Sequence, residues 1–149
     1  MKYAISSCLM GINCKYNGGN NYSEKLVEFM RDKEYIVVCP EVLGGLSTPR
    51  KSSERVHDKI KNTIGEDVSD AFYEGAKLAI QQIVEFGADL VISQVRSPSC
   101  GKGLVYDGSF QNKLISGNGV FVEMLIEHKI PVQSIDEFLS EVYKYTTKV

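Results

Sequence analysis

Apolar runs of strand length alternate with helical periodicity along the chain, and this alternation restricts the fold more than any other feature of the sequence. Residues 3–7 (YAISS), 35–39 (YIVVC) and 89–93 (DLVIS) read as strands, and residues 131–135 (PVQSI) as a weaker fourth. Ser23 can cap a helix that places Leu26, Val27 and Met30 on one face and ends near Asp32. The clearest helix starts near Ser69, repeats Phe72, Ala76, Leu78, Ala79, Ile80 and Ile83 at helical spacing, and stops at Gly87, a natural residue for a left-handed helix end. A further helix over about residues 119–128 turns Val122, Leu125 and Ile126 inward. The last begins at a capping box, Ser134 with Glu137, and carries Phe138, Leu139, Val142 and Tyr143. This order predicts an α/β fold: a three-layer open parallel sheet of four or more strands with helices on both faces and right-handed crossovers. It spans residues 1–149 as one domain, without repeat or linker.

Parallel strands collect their carboxyl ends along one edge, where open α/β sheets bind ligands. Three of the four cysteines fall just after such strands: Cys8, Cys39 and Cys100. No CxxC pair is present. Three soft ligands with a fourth position open suit an iron–sulfur cluster or zinc with an exchangeable site. The plainer account is that cysteine is among the most buried residue types and that these are inert thiols. Cys14, in the polar stretch 13–21, is open to three readings: a fourth ligand, a resolving thiol for Cys8, or neither.

Two connections, residues 40–68 and 94–116, are longer than a compact domain needs, and both start at strand ends. The first, with room for a small hairpin, holds Glu41, Gly44, Gly45 and Arg50. The second holds Ser97, Ser99 and Gly101. Glu41 stands two residues from Cys39, so it can serve there as general acid or base, or be a surface glutamate. A hydroxyl of Ser97 or Ser99 can hydrogen-bond a substrate, although turn chemistry alone explains both. Arg50 can meet a carbonyl or phosphate. His57 and His128 do not lie in ligand spacing with a cysteine.

Charge and composition exclude several classes. With 17 basic and 19 acidic residues the net charge is −2, and the cations are scattered, so there is no footprint for nucleic acid. Lys148 and residues 51–55 read as solvated positions. No stretch has the roughly 20 apolar residues of a membrane span, and the first residues lack a secretory signal, so the chain reads as cytosolic. In that compartment separated cysteines are thiols, metal ligands or catalytic groups rather than disulfides. There is no GxGxxG, Walker, GxSxG or HExxH motif, so nucleotide-cofactor and serine-hydrolase chemistry lack support.

The motifs Ser7-Cys8-Leu9-Met10-Gly11, Cys14-Lys15-Tyr16-Asn17-Gly18, Cys39-Pro40-Glu41, Gly44-Gly45-Leu46, Thr48-Pro49-Arg50 and Ser97-Pro98-Ser99-Cys100-Gly101 occur in order. Together they resemble a bacterial family formerly filed as a domain of unknown function and linked to thiouracil desulfurase. Residues 67–69, 106–110, 117–120 and 130–132 also fit its pattern, so the resemblance covers essentially the whole chain. Lys15 and Asn17 stand where an arginine and an aspartate are more usual.

The resemblance implies a [4Fe–4S] cluster on Cys8, Cys39 and Cys100, with Glu41 and Ser97 as the catalytic pair. Gly44, Gly45, Arg50, Ser99 and Gly101 would lie against the substrate, a small thiolated heterocycle such as thiouracil. The expected reaction is a hydrolase-like cleavage of C=S to the oxo compound and sulfide. Two rival functions stand beside it. One is a non-catalytic metal or iron–sulfur module that senses redox state. The other is a metal-free cysteine nucleophile, which needs a base near Cys8 or Cys100.

Overall fold

A computed structural model describes residues 1–144; Lys148 lies outside the described residues. In chain order the elements are β1 (Lys2–Ser6), a 3-10 turn (Ser7–Met10), α1 (Glu24–Met30), β2 (Glu34–Val38), α2 (Pro40–Leu43), β3 (Ser53–Val56), β4 (Lys59–Asn62), α3 (Ser69–Phe86), β5 (Leu90–Ser93), β6 (Leu104–Tyr106), β7 (Leu114–Ser116), α4 (Val120–Glu127), β8 (Val132–Ser134) and α5 (Ile135–Tyr143). Four strands form one sheet in the order β2-β1-β5-β8, and every pair is parallel.

The sheet is parallel because both of its faces are covered. Tyr3, Ile5 and Ile92 point to one side, against Leu26 and Met30 of α1 and Ile135 and Phe138 of α5. Ala4, Val38 and Val91 point to the other, against Ala76, Ala79 and Ile83 of α3 and Phe121 and Leu125 of α4. Each large side chain so buried contributes about 2 kcal/mol of transfer free energy. On the first side Tyr3, Phe29 and Phe138 meet edge to face, with ring centroids 5.1–6.1 Å apart.

Local signals act where the sequence placed them. Ser23 Oγ accepts from Leu26 N, Gly87 ends α3 in the left-handed conformation, and Ser134 with Glu137 forms a reciprocal capping box. One expectation fails in α4: Ile126 is 49% exposed, and Val120 and Phe121 are buried instead. The apolar stripe of this short helix is set by its first turn, which packs under residues 98–101.

The order β2-β1-β5 means that the chain leaves β1 in one direction and later crosses back past it. That reversal opens a crevice beside the end of β1. Register aligns the strand ends there, since Ser6 pairs with Val38 and Ile5 with Ile92. Ser6, Val38 and Ser93 are therefore level, and each leads into a segment that carries a cysteine. Two antiparallel hairpins, β3-β4 and β6-β7, stand over this edge, one in each long connection. Arg55 is not a solvated position. Its side chain is 11% exposed and ties β3 to α4 by hydrogen bonds to Asn118 O (2.6 Å) and Glu123 Oε2 (2.8 Å).

Candidate active site

A cavity of about 430 Å³ opens at the carboxyl edge of the sheet, and all four cysteines line it. The chain delivers them by different devices. Cys8 sits in the 3-10 turn that breaks the path of β1, which closes on the left-handed Gly11. Cys39 is the N-cap of α2, with Pro40 at the first helical position. Cys100 is buried at the end of the turn after β5, and Cys14 lies in the loop that folds back over Cys8.

The thiols interact with one another. The neighbouring thiols of Cys39 and Cys8 push the Cys14 pKa up, and Cys39 Sγ donates to Cys14 O at 4.0 Å. The Cys14 thiol is the main cause that lowers Cys8 to about 7, with help from the Asn21 amide and Lys15 and against burial. Cys39 is also lowered, first by Cys14 and then by the Val42 amide of α2, again against burial. Cys100 is pushed up by full burial, although Ser6 and Ser99 oppose this by hydrogen bonding. Asn21 Nδ2 donates to Cys8 Sγ at 3.4 Å. Such an outer amide fixes and tunes a metal-bound thiolate.

Among the described residues no three His, Cys, Asp or Glu side chains converge closely enough to hold a single ion. The donor set, soft thiols lining one cavity of about 430 Å³, is chemically suited to a group held by thiolates.

Another part of the lining is a hydrogen-bonded chain of carboxylate and hydroxyls. Arg50 Nε and Nη2 donate to Glu41 Oε1 at 3.3 and 3.2 Å. Ser99 Oγ donates to Glu41 Oε2 at 3.0 Å and lies 3.0 Å from Ser97 Oγ. Ser97 Oγ in turn accepts from Ser99 N (3.0 Å) and Cys100 N (2.9 Å). Glu41 and Ser97, expected as partners, are thus joined through Ser99.

Of the residues expected to touch substrate, Arg50 and Ser99 line the cavity, whereas Gly44, Gly45 and Gly101 do not. The Arg50 side chain is 8% exposed, and its remaining donors go to Ser47 O, Thr48 Oγ1 and Cys14 O. Ser99 is 0% exposed, and its hydroxyl is engaged with Glu41 and Ser97 at the cavity wall. Gly44 lies outside the cavity wall, where a Cβ would run into Ala71 O and the backbone of Gly75; it lets α2 press on α3. Gly45 supplies a positive φ of 93° at the end of α2 and also lies off the wall. Gly101 is packed under Ser97, whose carbonyl a Cβ would meet at 2.6 Å. His57 is exposed in the β3–β4 turn, and His128 Nδ1 is bonded to Met124 O. Neither reaches a cysteine wall, so the metal-free nucleophile has no histidine base there.

The mouth holds residues that the sequence reading passed over. Tyr106 and Asn112 reach it from the β6-β7 hairpin, and Arg96 from the turn after β5, with a left-handed φ of 67°. That positive φ on an arginine has no signal in the sequence. The hairpin itself was foreshadowed only by Asp107-Gly108, a dipeptide common in tight turns.

Known proteins share this chain's sequence pattern and fold. The family model described as 2-thiouracil desulfurase matches residues 4–137. An uncharacterised protein of Bacillus subtilis, YbbK, is 40% identical over 81% of this chain and 87% of its own. The solved structure of a [4Fe-4S]-dependent thiouracil desulfidase, TudS, superposes with a TM-score of 0.88 at 33% identity, covering 99% of both chains.

Proposed function

Because this chain belongs to the 2-thiouracil desulfurase family, we propose that it is a [4Fe–4S]-dependent desulfidase of small thiolated heterocycles such as thiouracil, acting in the cytoplasm. One observation carries this reading. Three strand-end thiols, Cys8, Cys39 and Cys100, share a cavity with a carboxylate and a serine hydroxyl. A volume of about 430 Å³ admits a single heterocyclic ring.

Cys8, Cys39 and Cys100 are the ligands in this reading. Cys14 lines the same cavity without serving as a ligand. When bound, the cluster supplies a Lewis-acidic iron for the soft sulfur of the substrate. The protein's own residues handle water and protons. Glu41 is the base that receives the proton of the attacking water, and Arg50 holds it in place. Ser97 lines the cavity where the water attacks the thiocarbonyl carbon. The two hairpins above the edge shield this chemistry from bulk solvent. Water gives its oxygen to carbon and sulfur leaves as sulfide, so no electron is gained or lost.

The test is to load the protein with iron and sulfide without oxygen and add 2-thiouracil. Sulfide and uracil should appear in equal amounts. A folded, fully loaded protein that releases no sulfide refutes the proposal.

The place of Cys14 between Cys8 and Cys39 favours one rival, a closed four-thiolate cluster without turnover. Cys14→Ala separates the two, since a closed cluster loses iron on that change and the desulfidase keeps it.

A further inference from the structure

Resting on the desulfidase reading, we propose that Ser99 is the proton link between Ser97 and Glu41, a positioning residue that acts through its neighbours without touching substrate. The order of the hydrogen bonds follows from counting. A serine hydroxyl has one proton and two lone pairs. Both lone pairs of Ser97 Oγ are engaged, by Ser99 N at 3.0 Å and Cys100 N at 2.9 Å. The contact of 3.0 Å between the two hydroxyls is therefore donated by Ser97.

Ser99 then has one proton to place. Its acceptors are Glu41 Oε2 at 3.0 Å and Cys100 Sγ at 3.7 Å, and the carboxylate is the closer and stronger. Arg50 binds only Oε1 of Glu41, which leaves Oε2 to Ser99. The chain runs one way, Ser97 to Ser99 to Glu41.

Ser99 is also held still. Its side chain is 0% exposed, so water does not compete. Its carbonyl accepts from Phe121 N (3.1 Å) and Val122 N (3.3 Å) at the start of α4. Gly119 permits that approach, because a Cβ there would strike Ser99 O.

The transfer balances. Ser97 passes its proton to Ser99 Oγ as Ser99 passes its own to Glu41 Oε2. The charge left on Ser97 Oγ is held by the two amides until it takes a proton from the attacking water. One O–H bond of water breaks, one forms on Glu41, both serines end as they began, and the hydroxide adds to the thiocarbonyl carbon. The reverse path returns the proton to the leaving sulfur.

The experiment compares loaded wild type with Ser99→Ala, Ser97→Ala and the double variant. Ser99→Ala should keep the wild-type iron content and visible absorbance, lose about 10²-fold in kcat, and leave KM nearly unchanged. Because the serines act in series, the double variant should be no slower than the slower single one. The rate in mixed light and heavy water should depend on the deuterium fraction along a curve in wild type and along a straight line in Ser99→Ala. Ser99→Cys fills the same space with a weak donor and should show the same loss if Ser99→Ala folds poorly.

Wild-type turnover in Ser99→Ala overturns the relay, as does a double variant whose loss is the product of the two single losses. Loss of iron in Ser99→Ala also overturns it, because Ser99 would then act on Cys100. A loaded wild type that releases no sulfide is a different result: it removes the desulfidase reading and the relay with it.

Discussion

The two walls of the cavity are built by opposite rules. On the thiol wall, Cys8 and Cys39 stand at or within two residues of strand ends, and Cys100 follows β5 by seven. On the carboxylate wall, Arg50, Glu41, Ser99 and Ser97 come from loops and a single helical turn, and their groups satisfy one another. The first wall keeps unspent bonding capacity, in thiols whose hydrogen bonds are few and long, such as Asn21 Nδ2 to Cys8 Sγ at 3.4 Å and Ser99 Oγ to Cys100 Sγ at 3.7 Å. The second has spent almost all of it on geometry. A site that holds a metal cluster and aims a base at water needs both kinds of construction.

Substitutions should expose this difference, starting with the largest effect. Cys100→Ala removes a thiol that nothing else on its strand end replaces, so visible absorbance and sulfide release should both vanish. If the thiol wall had redundant ligands, absorbance would survive. Glu41→Gln leaves the thiols alone, and should lower kcat by about 10²- to 10⁴-fold with unchanged iron content. A parallel loss of iron would merge the two walls into one.

Arg50→Ala strips the partner from a carboxylate that is 17% exposed and releases the loop at Cys14 O. Breaking such a buried pair costs about 3 kcal/mol, which for a chain of this size lowers the melting temperature by roughly 10 °C. A calorimetric shift near zero would show that Arg50 is less engaged than its hydrogen bonds require.

The smallest effect lies at the seam, where Cys14 joins the walls. In the unloaded chain the neighbouring Cys14 thiol is the chief cause that lowers Cys8 to about 7. Only the thiolate is alkylated. Removing that thiol in Cys14→Ala raises the Cys8 pKa, so its alkylation at pH 7 should slow and the rate profile should move to higher pH. A profile that stays in place would show that Asn21 and Lys15 alone hold the thiolate.

The same contrast explains what could be read from the sequence. The sheet, its four parallel strands, the helices on both faces and the presence of Cys8, Cys39 and Cys100 in the lining of one cavity followed from periodicity and one rule about strand ends. Ser23, Gly87 and Ser134 set helix boundaries through chemistry that each residue carries with it. The carboxylate wall was half legible, since Glu41 and Ser97 were named but the link through Ser99 was not. Hydrogen bonds between residues 58 positions apart depend on how loops fold over an edge, which periodicity does not encode. Arg55 was misread because an arginine in a long connection looks solvated until its partner, here Glu123, is brought to it. Gly44 announced a close approach correctly, but the approaching surface was α3 rather than a ligand.

The most direct test of the account is the iron and acid-labile sulfide bound per chain after reconstitution without oxygen, in wild type, Cys14→Ala and Cys39→Ala. The account predicts a full cubane in the first two and none in the third. A wild type that binds no iron, or a Cys39→Ala protein that keeps its cluster, would contradict it.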